Sequence, residues 1–216
     1  MLEKMNDFFT ARVDGYDEHM KSNIEGAATF YKYTASLLPT EKAVNVLDLG
    51  CGTGLELEEF FSVNPLAKVT GIDLTEAMLE ALKEKFSDKE ITTICGSYFD
   101  VPFGEEVFDA AVSVESLHHF TKEEKIPLYI KLRKSLKAGG YFILTDYFAE
   151  DDGQEDYFRQ ELLKIRKEQN LADDVFYHYD TPLTVEHEKE ALIAAGFTQV
   201  EELDHWEVTH TLKAIK

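Results

Sequence analysis

The period of the apolar positions changes repeatedly along the chain, and each change marks an element. From Met5 to Leu38 the spacing predicts helix. Ile24, Ala27, Ala28, Tyr31, Ala35 and Leu38 fall near an i, i+3/i+4 stripe that Pro39 ends. Val44 to Leu49 is a short apolar run, the pattern of a buried strand. Helical spacing follows from Leu55 to Val63 and stops before Asn64-Pro65. Lys68 to Ile72 predicts a second strand. Thr75 predicts the cap of a helix to Phe86 with Ala77, Met78, Ala81, Leu82 and Phe86 inward. Ile91 to Cys95 and Phe108 to Val114 predict two more strands, separated by a loop over Gly96 to Glu106. A helix over Thr121 to Leu136 is expected to stop at Gly139-Gly140, before a fifth strand over Tyr141 to Thr145. An acidic helical excursion spans about Glu150 to Gln169, and an aromatic loop runs from Asn170 to Pro182. A last helix, Val185 to Ala195, precedes two strands, Thr198 to Leu203 and Glu207 to Ala214.

Strands alternating with helices predict βαβ units, hence an α/β domain with a largely parallel sheet. The two final strands have no helix between them and are expected to pair as an antiparallel hairpin around Asp204-His205. A chain of 216 residues, 44% hydrophobic, suits one domain over 1–216, with an N-terminal helical cap over 1–40 and an inserted cap over 150–182.

The chemistry concentrates after the first strand. Gly50, Gly52 and Gly54 lie in five positions, where the strand ends and a helix begins. Glycine permits positive φ and lets a ligand lie on bare main chain. The helix start adds free amides and the positive end of a dipole. The spacing is G-x-G-x-G, not the G-x-G-x-x-G that seats a dinucleotide pyrophosphate. Asp73 ends the second strand, where a carboxylate accepts hydrogen bonds from ribose hydroxyls. Either feature alone is common without function; together they point to a nucleoside cofactor.

Four segments carry a family resemblance: V-L-D-L-G-C-G-T-G from Val46, G-I-D-L-T-E-A-M-L from Gly71, F-D-A-A-V-S-V-E-S-L-H-H-F from Phe108, and L-R-K-S-L-K-A-G-G-Y-F-I-L-T-D from Leu132. In combination they resemble class I S-adenosylmethionine (SAM) dependent methyltransferases, closely over Val44 to Tyr147 and loosely beyond. The resemblance implies a three-layer Rossmann-like fold with a seven-stranded, mostly parallel sheet in the order 3-2-1-4-5-7-6, the last strand antiparallel. It implies SAM as cofactor and S-adenosylhomocysteine as product. Asp48, Gly50, Cys51, Gly52, Thr53 and Gly54 would line the methionine portion. Asp73 would bind the ribose, with Leu74 and Met78 flanking the adenine. Related enzymes often carry an Asp after strand three for the adenine amino group. Here Gly96-Ser97-Tyr98-Phe99-Asp100 stands there, so the contact falls to the Ser97 hydroxyl, the Tyr98 main chain or Asp100. Arg12 and Tyr16, before the first strand, are candidates for the SAM carboxylate, with a plain surface helix as the other reading.

The resemblance places Glu115, Ser116, His118 and His119 beside the transferring methyl. Either histidine suits a general base if the acceptor is a hydroxyl or an acidic carbon; otherwise one packs at a helix start. Adjacent histidines alone do not make a metal site, and none is expected. Phe176-Tyr177-His178-Tyr179-Asp180-Thr181-Pro182 either packs on a sheet edge or closes an acceptor pocket with Tyr147 and Trp206. No Asn/Asp-Pro-Pro-Tyr/Phe or Pro-Cys follows strand four, which narrows the acceptor to small molecules or lightly specialised acceptors.

Charge sharpens the partners. With 22 basic and 42 acidic residues the net charge is −20, a surface that repels nucleic acids and anionic membranes. The layout is also similar to carboxy-SAM enzymes of wobble-uridine modification, which makes a tRNA-modification methyltransferase the alternative, beside a non-catalytic SAM-binding protein. Those enzymes hold the extra carboxylate with a late arginine, and no arginine follows Arg166 here, so ordinary SAM is expected. Two cysteines, no signal-peptide pattern and no apolar run near 20 residues make a reduced, cytoplasmic setting the expectation. Homodimerisation is left open.

Overall fold

The computed structural model describes residues 1–172 and 174–216; Asp173, inside the excursion over 150–182, lies outside them. Seven strands form one sheet: β1 (Asn45–Leu49), β2 (Lys68–Asp73), β3 (Glu90–Cys95), β4 (Phe108–Val114), β5 (Leu136–Tyr147), β6 (Gln199–Trp206) and β7 (Thr209–Ile215). Their order is β3-β2-β1-β4-β5-β7-β6, as the resemblance implies. β7 runs antiparallel to both neighbours, and the remaining ladders are parallel.

Alternation along the strands makes the layers. Leu47 and Leu49 of β1 face one side, with Ala111 of β4 and Phe142 of β5 in register beside Leu47. Against them pack Leu128, Tyr129 and Leu132 of α6 (Lys122–Ser135) and Ala191 and Leu192 of α8 (Val185–Ala194). Val46, Ala110 and Val112 face the other side, under Phe30 and Ala35 of α3 (Ala27–Ser36) and Leu57 and Phe60 of α4 (Leu55–Val63). Each fully buried side chain of this size contributes about 1.5–3 kcal/mol. A buried ion pair ties α6 to α8: Lys125 Nζ lies 2.5 Å from Glu188 Oε2, and the Tyr129 hydroxyl donates to the same carboxylate.

Four expectations are corrected. The helix expected over Met5 to Leu38 is three: α1 (Met5–Thr10), α2 (Tyr16–Asn23) and α3. Gly15 and Gly26 break it in left-handed conformations, with φ of 80° and 76°. The helix before β5 stops at Ser135, and Gly139-Gly140 sits inside a bulged part of β5 rather than ending the helix. The hairpin turns at Glu207-Val208, because Asp204 and His205 still pair with Thr211 and His210. Thr75 stands at the N-cap of α5 (Glu76–Lys85), but its side chain makes no cap bond; Asp73 Oδ1 accepts the Thr75 N–H instead, at 2.8 Å.

Candidate active site

Everything chemical gathers at the carboxyl ends of β1, β2, β4 and β5, where an open α/β sheet places its ligands. The loop after β1 sets the geometry. Gly50 has φ of 74°, and a Cβ there would meet Ser116 Oγ at 2.0 Å. Only a bare backbone lets this loop lie so close to the segment after β4. Gly52, at φ 47°, would meet nothing, and its N–H donates to Asp73 Oδ2 at 2.9 Å. The Asp73 carboxyl thus spans the loop and the start of α5. Burial raises its pKa, and the two amide donors counter that shift.

Gly50, Gly52 and Asp73 form one wall of a narrow cavity. Leu74 and Met78 form a second, and Gly96, Ser97 and Tyr98 a third. Tyr16, Glu115, Ser116, Met5, Phe9 and Phe176 also line it. Asp100 is exposed and outside it, whereas Ser97 and Tyr98 line it.

Four predicted residues are near the loop but do not line the cavity. Cys51 is buried against Gly71, where a Cβ would lie 2.7 Å from its Sγ. Thr53 donates to Asp17 Oδ1 at 2.5 Å and so ties the loop to α2. Gly54 packs against Phe86. Asp48 is buried on the α3/α4 side of the sheet. Both its carboxyl oxygens, and Oε1 of the buried Glu56, lack a hydrogen-bond partner among the described residues. Burial and the facing Glu56 push the Asp48 pKa well above the carboxylate range. Glu56 escaped the sequence reading because it looks like one more acidic position on an amphipathic helix.

Arg12 is displaced from its expected place. It pairs with Glu3 at 3.1 Å, lies over the Phe8 ring and lines a second, larger cavity instead. That cavity carries His118, His119, Tyr147, His178, Asp180 and Trp206, and it meets the first at Phe9, Tyr16, Glu115 and His119. The aromatic segment therefore lines both cavities, Phe176 the first and His178 and Asp180 the second. Its backbone is clasped to the N-terminus by Met5 N–H to Phe176 C=O and His178 N–H to Glu3 C=O, each 3.0 Å, and Phe8 stacks on His178 at 3.5 Å.

The histidines face carboxylates that the sequence did not pair with them. His118 Nδ1 lies 2.6 Å from Asp146 Oδ1, and Asp146 Oδ2 accepts the Leu117 N–H at 2.8 Å. His119 Nδ1 lies 3.1 Å from Asp180 Oδ1. Burial alone would lower the His118 pKa, but Asp146 outweighs it and raises it to about 9. Burial and the neighbouring His118 hold His119 below its ordinary value. Glu115 sits at φ 49°, unusual for a non-glycine residue, and burial lifts it to about 7. Asp146 ends a quoted motif but gave no sign of its partner; Asp180 lay within the aromatic segment, unremarked.

Comparison with known proteins agrees with this layout. A family model described as a methyltransferase domain matches residues 46–140, from β1 into β5. Sterol 24-C-methyltransferase of Gibberella zeae is 30% identical over 175 residues, covering 76% of this chain and 42% of that protein. The domain matched over residues 46–140 belongs to the class I SAM-dependent methyltransferases. Its cofactor is SAM, which the bare glycine loop and the Asp73 carboxyl fit. The methyltransferase fold recurs in human N-acetylserotonin methyltransferase, solved in complex with SAM, at TM-score 0.68 and 18% identity over 98% of this chain and 56% of that one. It recurs also in the cyclase SpnF, at TM-score 0.73 and 15% identity over 98% and 94%. This methyltransferase chain spans less than half the length of the curated relatives it matches. No helix among the described residues is long and apolar enough to cross a membrane.

Proposed function

We propose that the protein transfers a methyl group from SAM to a small-molecule acceptor held in the second cavity. The observation that carries this reading is the junction: two cavities, one on the glycine loop and one on the aromatic segment, meet at Phe9, Tyr16, Glu115 and His119. When bound, SAM supplies an electrophilic methyl on a sulfonium. The chain's own part is placement and exclusion of water. Asp73 holds the ribose, Leu74 and Met78 sandwich the adenine, Ser97 and Tyr98 meet its edge, and Gly50 and Gly52 give room for the methionine end. Tyr16 closes that end. On the other side, Tyr147, His178 and Trp206 offer ring faces to a planar or apolar acceptor. Holding both partners in line supplies much of the rate. His118 and His119 line the same cavity as these rings.

Calorimetry with SAM and S-adenosylhomocysteine tests the cofactor half. If neither binds, or if Asp73→Ala binds SAM as wild type does, the reading fails. Label transfer from methyl-labelled SAM into a metabolite extract tests the reaction. The likeness to a cyclase gives a second reading, SAM binding without methyl transfer; saturable binding with no labelled product would establish it. A tRNA acceptor runs against the −20 charge, and salt-dependent tRNA binding would be the result that favours it.

A further inference from the structure

Beside the methyl-transfer junction, two imidazoles and a carboxylate converge on one point. His118 Nε2 lies 3.6 Å and His119 Nδ1 3.1 Å from Asp180 Oδ1, and the three ligand atoms lie within 4.8 Å of one another. We propose that His118, His119 and Asp180 form a binding site for a divalent first-row transition ion, open to the acceptor cavity. An ion with bonds of about 2.0–2.2 Å places neighbouring ligand atoms about 3–3.5 Å apart, close to the spacing found. Two nitrogens and one oxygen select zinc, cobalt, iron or manganese over calcium and magnesium, which take oxygen.

The surroundings are built to hold these atoms. Asp146 Oδ1 on His118 Nδ1 turns Nε2 toward Asp180, the carboxylate–histidine arrangement that orients metal-binding imidazoles. Asp146 is itself fixed by the Leu117 and Tyr147 N–H groups, at 2.8 and 3.0 Å. The Thr181 N–H donates to the His118 carbonyl at 2.8 Å, which locks the Asp180 segment to the turn that carries both histidines. His118 and His119 are nearly covered, whereas the Asp180 side chain is 42% exposed. An ion there keeps open positions toward the cavity, and its natural ligand is an acceptor with a hydroxyl or carboxylate oxygen. The ion's place beside the acceptor rests on the methyltransferase reading; its binding does not.

The test uses Co2+ as probe. The hairpin bears another group, Glu202, His205 and His210, so the His205→Ala/His210→Ala protein is the starting background. It is loaded with Co2+, desalted, and read by elemental analysis and visible d–d absorption. The proposal expects about one ion per chain. Asp146→Asn, which leaves all three ligands, should weaken binding about 10- to 100-fold. His118→Ala and the more exposed Asp180→Asn should each abolish it, with calorimetric SAM binding as the check on folding. Retention no greater than in a His118→Ala/Asp180→Asn protein that still binds SAM overturns the site and leaves the methyltransferase reading standing. Co2+ bound without any SAM binding does the reverse.

Discussion

Replacing Gly50 with alanine probes the closest approach in the site. Two costs follow from the structure. A Cβ at φ 74° places a left-handed alanine in the fold, about 1–2 kcal/mol. The same atom would also stand 2.0 Å from Ser116 Oγ and 2.6 Å from its Cβ, an overlap that only movement of the loop or of the post-β4 segment relieves, about 1–3 kcal/mol. Together they come to about 2–5 kcal/mol, or about 4–20 °C in Tm for a chain of this size. Gly52→Ala carries the strain alone, since nothing lies within 4 Å of its Cβ; it should lose about 1–2 kcal/mol. Urea titration of both variants measures the difference. A second substitution sharpens it. Ser116→Gly removes both overlapping atoms, and the next neighbour, Tyr98 Cε1 at 3.7 Å, is an ordinary contact. The double variant Gly50→Ala/Ser116→Gly should therefore recover about 1–3 kcal/mol relative to additivity. Equal destabilisation by Gly50→Ala and Gly52→Ala, or additivity with Ser116→Gly, would refute the close-approach argument.

Asp73→Ala removes the acceptor for the Gly52 and Thr75 amides and for the ribose, and calorimetry should show SAM affinity falling about 10- to 100-fold. Lys125→Met strands the buried Glu188 carboxylate and should cost about 3–5 kcal/mol in urea unfolding; Lys125→Met/Glu188→Gln should recover part of that, and no recovery would mean the charge is not the cause. His187 is held above its ordinary pKa of 6.5 by Glu155, whose Oε2 lies 2.9 Å from Nδ1. Its folded pKa is raised, so its stabilisation is complete below pH 6.5 and fades as pH rises through the shifted value. An NMR titration should find this shift reduced in Glu155→Gln.

Both faces of the core and the bare glycine loop follow from local patterns, whereas the strand order is what the family resemblance implied. Leu47 and Leu49 alternate with Val46 and Asp48, and the glycines follow at once, so period and turn chemistry are written next to each other in the chain. Where local signals misled, a tertiary contact overrode them. Gly139-Gly140 read as a helix stop, but β4 drew residues from Leu136 onward into its ladder. Gly15 and Gly26 fall within the span expected as one helix, and left-handed backbone at each divides it into α1, α2 and α3.

The histidine pair and its surroundings were legible only in part. His118 and His119 stood out as a pair, but their partners are 28 residues away at Asp146 and 61 away at Asp180, a separation with no period to betray it. Arg12 lines the second cavity rather than the first, where Glu3 and Phe8 hold it. A sequence by itself determines what its near neighbours can do: where strands alternate, where helices start, where backbone must be bare. Which distant carboxylate faces which imidazole is decided only when the sheet brings β4, β5 and the segment before α8 to one edge, because those contacts depend on packing and not on spacing along the chain.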